Sequence, residues 1–440
     1  MNIQRDIFAR LLQWKESPQR QPLILQGARQ TGKSFALTEF GRRHYDHVAV
    51  FNFDRQAELA SVFDRTKDVG RLLHDLSFYT GVPLIPGKTL LVFDEIQECQ
   101  DALGSLKYFC EDAPEHHVVC ACSLLGVALH RNGGGFPVGK VHFERLYPVT
   151  FKEFLRAAAP VLYEQTEVLV ASGDALPEVL FNQLLQYYHA YQVCGGLPHA
   201  ASAYLDGEGS DAVESILADT LEAYAADFSK YIDNKDVPRI HDIWRSIPSQ
   251  LSRKNKKFIF RIVRSGARAR EYEAALDWLR LSGMVHKIHV CEKPAMPLTF
   301  YEDTTAFKVY LLDIALLRRL AGLPREVIMA QGELFKEFKG AMAENFVLCS
   351  LLAQGVEQPH YWTLQGNKAE VDFLIPNGLE ILPIEVKSDE RISGKSFAVY
   401  DSKYAPRQRV RFSLRNVRRD GNLLNLPVFL ADWMKDYINK

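Results

Sequence analysis

The sequence predicts an α/β protein with a mostly parallel sheet at its core, helical segments in the middle and a second, α+β region at the end. Short apolar runs alternate with helical patterns from Pro22 to about Ala159. Buried parallel strands are expected to read as such continuous apolar runs. A glycine-rich loop follows the first run, and a later run ends in two carboxylates. These observations place a set of βαβ units at the start of the chain.

Composition narrows the class of protein. The 440 residues suffice for about two to four domains, each with its own core. Since 53 Lys and Arg stand against 54 Asp and Glu, a uniformly basic nucleic-acid coat is not expected. Seven cysteines without a CxxC pair indicate reduced thiols in a cytoplasmic protein. No membrane association is expected, because the longest apolar stretch, Val118–Leu129, is too short to cross a bilayer.

Four segments follow from the pattern of elements. The core is predicted over residues 1–159, where an amphipathic helix precedes the strand-like runs PLILQ, VAVFNF, TLLVFDE and HVVCAC. A helical connector is predicted over 160–235, where β-branched runs vanish. Three short helical patterns and the apolar stretch Met284–Val290 predict a winged-helix-like domain over 236–295. The remainder, 296–440, is predicted to form the α+β domain.

The first strand leads into a loop that fits the pattern G-x-x-x-x-G-K-[ST]. Its residues are Gly27, Ala28, Arg29, Gln30, Thr31, Gly32, Lys33 and Ser34. In such a loop the backbone N–H groups surround phosphates, the lysine reaches the β/γ oxygens and the serine hydroxyl is placed on Mg²⁺. A helical pattern begins at Lys33, so a helix N-terminus adds to the anion site. This context favours a phosphate site over a glycine-rich turn that matches by chance.

Two carboxylates follow the strand TLLVF. Asp94 is expected to hold Mg²⁺ through its water shell, and Glu95 to orient or deprotonate an attacking water. Ser123, at the end of a third strand, either senses the γ-phosphate or caps that strand. The distance between the loop and Glu95 implies an additional strand between them. Glu95 and this strand favour a hydrolytic ATPase over a nucleotide kinase, which would normally have an arginine-rich lid soon after the loop.

Two basic segments interrupt the near-neutral chain. The first has eleven cations against two acids: Lys235, Arg239, Arg245, Arg253, Lys254, Lys256, Lys257, Arg261, Arg264, Arg268 and Arg270. The second has seven cations and no acid: Lys403, Arg407, Arg409, Arg411, Arg415, Arg418 and Arg419. Both suit the phosphate backbone of DNA or another nucleic acid. A basic face that contacts an acidic protein partner or another domain is the alternative.

A second group of carboxylates lies near the C-terminus. Asn-Gly at 377–378 between apolar alternations predicts a hairpin in which Asp372 lies opposite Pro383. Asp372, Glu385 and Lys387 then share one face, where the carboxylates could hold a hard cation and the lysine could stabilise a developing charge. This D…E-x-K arrangement is used in metal-dependent phosphodiester hydrolysis, and Glu344 could add a carboxylate. The alternative is an exposed strand with an ion pair between Glu385 and Lys387.

Together these motifs resemble the prokaryotic AAA-type (AAA+) P-loop ATPases fused to a C-terminal domain of unknown function. The segments that carry the resemblance are GARQTGKS, LLVFDEIQ, LYPVTFKEF, GGLP, KVYLLDIALL, GAMAENFV, EVDFLI and PIEVKS. The resemblance implies an AAA+-like core that uses ATP and Mg²⁺, a winged helix, and a C-terminal fold similar to restriction-endonuclease-like PD-(D/E)xK nucleases. It also implies a nuclease-type centre at Glu344, Asp372, Glu385 and Lys387.

The chain departs from this family pattern at two places. Cys122 precedes Ser123 where the family usually has glycine, and Lys140 stands where it tends to have arginine. An arginine there could contact the γ-phosphate of a neighbouring subunit in a homo-oligomer, but lysine lacks the bidentate fork of arginine. Arg145 is the nearby alternative for this role.

Two hypotheses from different classes follow. In the first, a cytoplasmic ATPase uses ATP turnover to control a nuclease-like, nucleic-acid-directed C-terminal domain. In the second, the protein is a nucleotide-gated interaction protein whose nuclease-like domain is catalytically silent and serves for docking. A nucleotide kinase is a third interpretation, which requires a phosphoryl acceptor.

Overall fold

The structure is a computed structural model that describes residues 3–123, 135–229, 235–253, 256–330, 336–364, 366, 369–388 and 395–438. The end of the predicted apolar stretch 118–129 and Lys254 of the first basic segment lie outside these residues. The chain forms two compact units. The N-terminal unit comprises Arg5–Pro148 and Leu281–Met284, and the C-terminal unit comprises the rest. In the part of the chain described, no helix has the length and apolar character needed to span a membrane.

The N-terminal unit alternates strands and helices as the sequence predicts. Its elements are α1 (Ile7–Glu16), β1 (Leu23–Gln26), α2 (Lys33–His44), β2 (His47–Asn52), α3 (Leu59–Arg65), α4 (Val69–Thr80), β3 (Thr89–Asp94), α5 (Gln100–Asp112), β4 (His117–Cys122) and β5 (His142–Arg145). The strands form one parallel sheet in the order β2-β3-β4-β1-β5. The predicted parallel-sheet core is therefore confirmed.

This sheet is covered on both faces, which explains its continuous apolar strands. Leu91 and Phe93 of β3 pack with residues of α3, α4 and α5 in one core. Leu90 and Val92 of the same strand pack with residues of α1 and α2 in the other. Because successive strand residues point to opposite faces, a strand buried on both sides must be apolar at every position.

The strand order determines where a ligand can bind. From β1 the chain crosses to β2 at one edge of the sheet, whereas from β4 it crosses back past β1 to β5 at the other edge. The connections after the neighbouring strands β1 and β4 therefore leave in opposite directions. In open α/β sheets, ligands bind at the carboxyl ends of the strands at such a switch point.

The C-terminal unit begins with helices. These are α6 (Phe151–Ala158), α7 (Pro160–Ser172), α8 (Glu178–Cys194), α9 (Pro198–Leu205), α10 (Ser210–Asp227), α11 (Val237–Leu251), α12 (Phe260–Val263) and α13 (Ala269–Leu281). The helical region starts earlier than residue 160 because Thr150 and Glu153 form a capping box, in which each side chain bonds the other residue's backbone N–H.

An eight-stranded mixed sheet follows. Its elements are β6 (Val285–Cys291), β7 (Glu302–Leu311), α14 (Ile314–Leu320), α15 (Arg325–Ala330), α16 (Lys336–Ala353), β8 (His360–Thr363), β9 (Glu370–Asn377), β10 (Glu380–Val386), α17 (Lys395–Tyr404), β11 (Arg409–Ser413), β12 (Arg418–Asp420), β13 (Leu423–Pro427) and α18 (Met434–Ile438). The strand order is β12-β13-β11-β10-β9-β8-β6-β7. The pair β6/β7 crosses the boundary expected at 295/296, since the stretch expected to form a wing strand pairs within the C-terminal sheet.

The hairpin β9/β10 forms with a register different from the predicted one. Asn377 pairs with Glu380 and Phe373 with Ile384, a shift of two residues that keeps the same side chains on each face. The expected pairing of Asp372 with Pro383 is therefore wrong, and the register directs Asp372 toward Glu385. The turn is centred on Gly378 and Leu379, because Gly378 supplies the positive φ of 62° at the first central position.

Candidate functional site

The phosphate-loop residues connect β1 to α2 in a strained, closely fitted turn. Gly32 has a φ of 89° immediately before α2, and Gln30 has a φ of 64°. Thr31 donates its hydroxyl to the carbonyl of Ala28 at 2.8 Å, which ties the loop across its width. A Cβ atom on Gly27 would lie 2.3 Å from the carbonyl oxygen of Leu146, so only glycine fits there. The loop thus presents its backbone at the start of a helix, where the first N–H groups have no partner within the helix and an anion can bind.

Lys33 is buried at the first turn of α2. Its ammonium group donates to the carbonyls of Gly27 (3.0 Å) and Ala28 (2.8 Å). Burial lowers the pKa of Lys33, and the nearby charges of Glu95 and Asp94 oppose this effect. The lysine therefore lies over its own loop, bonded to carbonyl oxygens that phosphate oxygens could replace.

Asp94 joins the phosphate loop to the second and third strands of the unit. Ser34 donates its hydroxyl to Asp94 Oδ1 at 2.5 Å, and Asn52 donates its amide to Asp94 Oδ2 at 2.8 Å. Asn52 pairs with Asp94 in the register of β2 and β3. The sequence analysis did not identify Asn52, although a polar residue ending the run VAVFN was the available signal.

Glu95 follows β3 in the left-handed region, with a φ of 51°. Its Oε2 accepts a hydrogen bond from Ser123 at 2.8 Å and a second one from the amide of Gln97. The Gln97 amide also lies 3.4 Å from the Ser123 hydroxyl. Non-glycine residues held in this conformation cluster at functional sites. Ser123 therefore contacts the carboxylate expected to activate water, and Gln97, which the sequence analysis did not identify, lies between them.

Arg5 supports the loop from outside the predicted motif. Its guanidinium donates to the carbonyl of Thr31 at 3.3 Å and to that of Tyr147 at 2.6 Å. Of the two residues considered for a contact with the γ-phosphate of a neighbouring subunit, Lys140 forms an ion pair with Glu111 at 3.0 Å. Arg145 is exposed at the end of β5, in register with the residue that precedes the phosphate loop.

Chemically, this arrangement fits a nucleotide with Mg²⁺. A hydroxyl and a carboxylate, from Ser34 and Asp94, converge next to a buried lysine and a helix N-terminus. Oxygen ligands of this kind suit Mg²⁺, which usually keeps several waters and binds through one or two carboxylates together with substrate phosphates. Glu95 lies beside this pair with its carboxylate oriented by two donors.

The C-terminal carboxylates also come together, around the start of β9 and the end of β10. Asp372 is buried and accepts a hydrogen bond from the backbone N–H of Val386 at 2.8 Å. Glu385, which has no exposed surface, pairs with Arg411 at 2.8 Å, and Lys387 Nζ lies 3.2 Å from its other oxygen. The predicted Glu385–Lys387 contact therefore exists within a buried cluster, and the strand pair is not exposed.

Glu344, from α16, is buried in the same region. It pairs with Lys256, accepts a hydrogen bond from Tyr310 at 3.1 Å and lies 4.0 Å from Lys308. Lys308, also fully buried, pairs with Glu370. Lys256, Lys308 and Arg411 were not assigned to this site by the sequence analysis.

The charges of this cluster act on each other. Burial opposes ionisation of Glu344, but Lys256 and Lys308 outweigh it and hold the pKa of Glu344 below its usual value. Burial, together with the Glu344 carboxylate, raises the pKa of Asp372 against the effect of Lys387. Among the residues that the structure describes, no group of three or more His, Cys, Asp or Glu side chains is arranged to hold a metal ion. The expected metal ligands Glu344, Asp372 and Glu385 are thus near one another, but Glu344 and Glu385 are bonded to basic side chains and Asp372 to a backbone N–H.

The two basic segments differ in what surrounds them. In the second segment, Arg409 pairs with Asp401, Arg418 with Asp420 and Arg419 with the carbonyl of Tyr437. In the first segment six arginines are exposed and none pairs with a carboxylate among the described residues: Arg245, Arg253, Arg261, Arg264, Arg268 and Arg270. We refer to these six as the arginine surface. The second segment is thus largely bonded within the protein, whereas the arginine surface of the first segment is exposed.

The parallel sheet, the phosphate loop after β1 and the Asp94–Glu95 pair at the end of β3 have the arrangement of an ATPase-like domain. In agreement, residues 19–155 match the model of a family described as an AAA domain. Residues 185–327 match a domain of unknown function, DUF8612, and residues 339–429 match another, DUF4143. No curated protein matches the chain.

Several solved structures are similar to parts of the chain. The Walker-type ATPase PABY2304 of Pyrococcus abyssi has 15% identity over 72% of this chain and 96% of its own, with a TM-score of 0.43. The ORC2 protein of Aeropyrum pernix, in ADPNP and ADP complexes, has 13% identity over 74% of this chain and 92% of its own, with a TM-score of 0.35.

Proposed function

We propose that this protein binds ATP with Mg²⁺ and hydrolyses it in the N-terminal unit. The observation that carries the proposal is the convergence of Ser34, Asp94, Glu95 and Ser123 beside the phosphate loop. Asp94, Glu95 and Ser123 lie at the ends of the neighbouring strands β3 and β4, and Ser34 lies at the start of α2, which follows the adjacent strand β1. In-line phosphoryl transfer needs such positioning and electrostatic stabilisation more than it needs covalent chemistry.

The residues divide the work of the reaction. Lys33 exchanges the carbonyls of Gly27 and Ala28 for the β- and γ-phosphate oxygens, and the N–H groups of the loop surround the phosphates. Bound Mg²⁺, held through Ser34 and Asp94, would neutralise charge on those oxygens. Glu95 orients a water molecule for attack and accepts its proton. Ser123, bonded to Glu95, is placed to respond to the γ-phosphate.

A binding measurement combined with a phosphate-release assay tests this proposal. Removing the lysine in Lys33→Ala should abolish both ATP binding and phosphate release, since a buried cation that faces the phosphates is lost. Lys67→Ala is a matched control, because Lys67 pairs with Asp101 on the surface of the same unit. ATP binding by Lys33→Ala with the affinity of the wild-type protein would contradict the assignment.

We further propose that ATP turnover controls binding of nucleic acid by the C-terminal unit. The support is the arginine surface, which presents guanidinium groups without bonded carboxylates among the described residues. Such groups favour the phosphate backbone and do not read sequence. The proposal therefore joins the two hypotheses drawn from the sequence: ATP hydrolysis in one unit and docking by the other.

A titration of the ATPase rate distinguishes nucleic acid from protein as the partner. Double-stranded DNA, single-stranded DNA and RNA are each added at low salt to the full-length protein. A rate that changes with one of them and returns to its basal value at high salt supports a phosphate-backbone partner. A rate that none of the three changes would favour an acidic protein as the partner of the arginine surface.

A further inference from the structure

The carboxylate cluster of the C-terminal unit is balanced in charge by the protein itself. Its acidic members are Glu344, Glu370, Asp372 and Glu385, and its basic members are Lys256, Lys308, Lys387 and Arg411. Lys308 and Glu385 have no exposed surface, and Glu344 is 4% exposed. Four acidic groups are therefore matched by four basic ones, and the cluster is largely buried, with Glu370 and Lys387 partly exposed at its edge.

This balance conflicts with the binding of a divalent cation. A metal centre of oxygen ligands needs carboxylates whose charge is left over for the metal. Here Lys256 bonds Glu344, Arg411 bonds Glu385, and the backbone N–H of Val386 bonds Asp372. Adding a divalent ion to a neutral, largely buried cluster would leave a net positive charge without a partner, which is unfavourable at low dielectric. The residues present therefore do not fit Mg²⁺ or Mn²⁺.

Lys256 distinguishes this cluster from the metal site that the sequence predicts on the β9/β10 hairpin. It comes from the segment between α11 and α12, and it reaches Glu344 on α16, 88 residues further along the chain. Its position is fixed by its neighbour Phe258, whose backbone N–H donates to the carbonyl of Phe307 at 2.7 Å. The rings of Phe258 and Phe307 stack with centroids 5.4 Å apart. A basic side chain is thus anchored on β7 and directed at the carboxylate.

We infer that the cluster is a closed internal ion network in which Lys256 supplies to Glu344 the positive charge that a divalent cation would supply in a nuclease. The network bonds the segment that carries the arginine surface to the C-terminal sheet. The network thereby holds the arginine surface in place for a polyanionic partner. It does not hydrolyse that partner. The inference does not depend on ATP hydrolysis in the N-terminal unit.

A double-mutant cycle in urea tests the network. Lys256→Met leaves Glu344 with one cation fewer, so the unfolding midpoint of the C-terminal unit should fall. Adding Glu344→Gln to Lys256→Met should bring the midpoint back up, because the buried charges are balanced again. Arg253→Met, which removes an exposed charge three residues before Lys256, is the control and should leave the midpoint unchanged.

The network is overturned if the double variant is no more stable than Lys256→Met. This holds if the two substitutions lower the unfolding midpoint additively, and also if neither variant folds. A Mn²⁺ titration of the nucleotide-free, full-length protein gives an independent readout. We expect the wild-type protein and Asp372→Asn to bind the same amount of Mn²⁺, because Asp372 holds no metal ion. A wild-type site that this substitution, or Glu385→Gln in its place, removes would overturn the inference.

Discussion

Ser123 donates its hydroxyl to Glu95 Oε2 across 2.8 Å and so joins the ends of two neighbouring strands. Glu95 holds a φ of 51°, a conformation that costs a non-glycine residue on the order of 1–3 kcal/mol. The surrounding hydrogen bonds must offset this cost. The group proposed to activate water is thus bonded to the group proposed to respond to the γ-phosphate, and a phosphate that engages Ser123 would change the environment of Glu95.

Glu95→Gln should keep ATP binding and lose hydrolysis. The amide retains the size of the side chain and accepts the hydrogen bond of Ser123, but it cannot take a proton from water. We expect the rate of phosphate release to fall by about 10²- to 10⁴-fold, with the ATP dissociation constant unchanged. Glu98→Gln, three residues later, is the control. Normal turnover in Glu95→Gln would remove Glu95 from the mechanism.

Gln97 is expected to position Glu95. Its amide donates to Glu95 Oε2, and its side-chain oxygen is buried without a hydrogen-bond partner among the described residues. Gln97→Ala should lower kcat about tenfold and leave KM unchanged, because a hydrogen bond to a charged group contributes roughly 1.5–3 kcal/mol. The exposed Gln19→Ala is the control. A rise in KM at constant kcat would show instead that Gln97 affects nucleotide binding.

His117 should make the stability of the N-terminal unit depend on pH. It is buried and bonded to the hydroxyl of Tyr45 at 2.6 Å. Burial, with the charges of Arg20 and Lys15, lowers its pKa from 6.5 to about 4. A depressed pKa means that the unfolded chain binds the proton more tightly, so the stabilisation is complete above pH 6.5 and is lost as the pH falls toward 4.

The loss at pH 5 is expected to be about 2 kcal/mol. It can be measured by urea unfolding at pH 7 and pH 5, with hydrogen exchange of the backbone amides of β4 as the readout. His117→Gln should reduce this difference, because glutamine does not titrate. The exposed His74→Gln should retain it. An unchanged pH dependence in His117→Gln would show that other groups cause it.

The sequence predicted the phosphate loop and its strand partners because these lie in short contiguous motifs. A loop flanked by a strand and a helix fixes its own geometry, and Asp94 follows a run of residues that can only be a buried strand. Asn52 and Gln97 were not predicted. Asn52 reaches Asp94 through the pairing of β2 with β3, and Gln97 reaches Glu95 through a short turn, and no local sequence pattern indicates either contact.

The C-terminal centre was predictable only in part, for a related reason. Asp372, Glu385 and Lys387 share a face because their spacing has the period of a strand. The register required knowledge of the turn, in which Gly378 takes the first central position. Lys256 meets Glu344 only through the tertiary fold, and it is this pairing that changes the chemistry of the cluster.

The arginine surface gives the last prediction. Three of its members, Arg261, Arg264 and Arg268, are exposed within eight residues of the chain, between the start of α12 and the start of α13. Replacing all three by Gln should weaken binding of double-stranded DNA and lower the slope of log affinity against log salt concentration by about one for each arginine that contacts a phosphate. Filter binding at several salt concentrations measures both quantities.

A control for this prediction comes from the second basic segment. Arg407 and Arg418 have exposed side chains but lie near Glu380 and Asp420, so they offer less free charge to a phosphate. Replacing both by Gln should change the slope less than the three substitutions in the arginine surface. If the two sets have equal effects, the attraction arises from the total charge of the C-terminal unit and not from the arginine surface. If neither changes the slope, the nucleic-acid partner is excluded and an acidic protein takes its place.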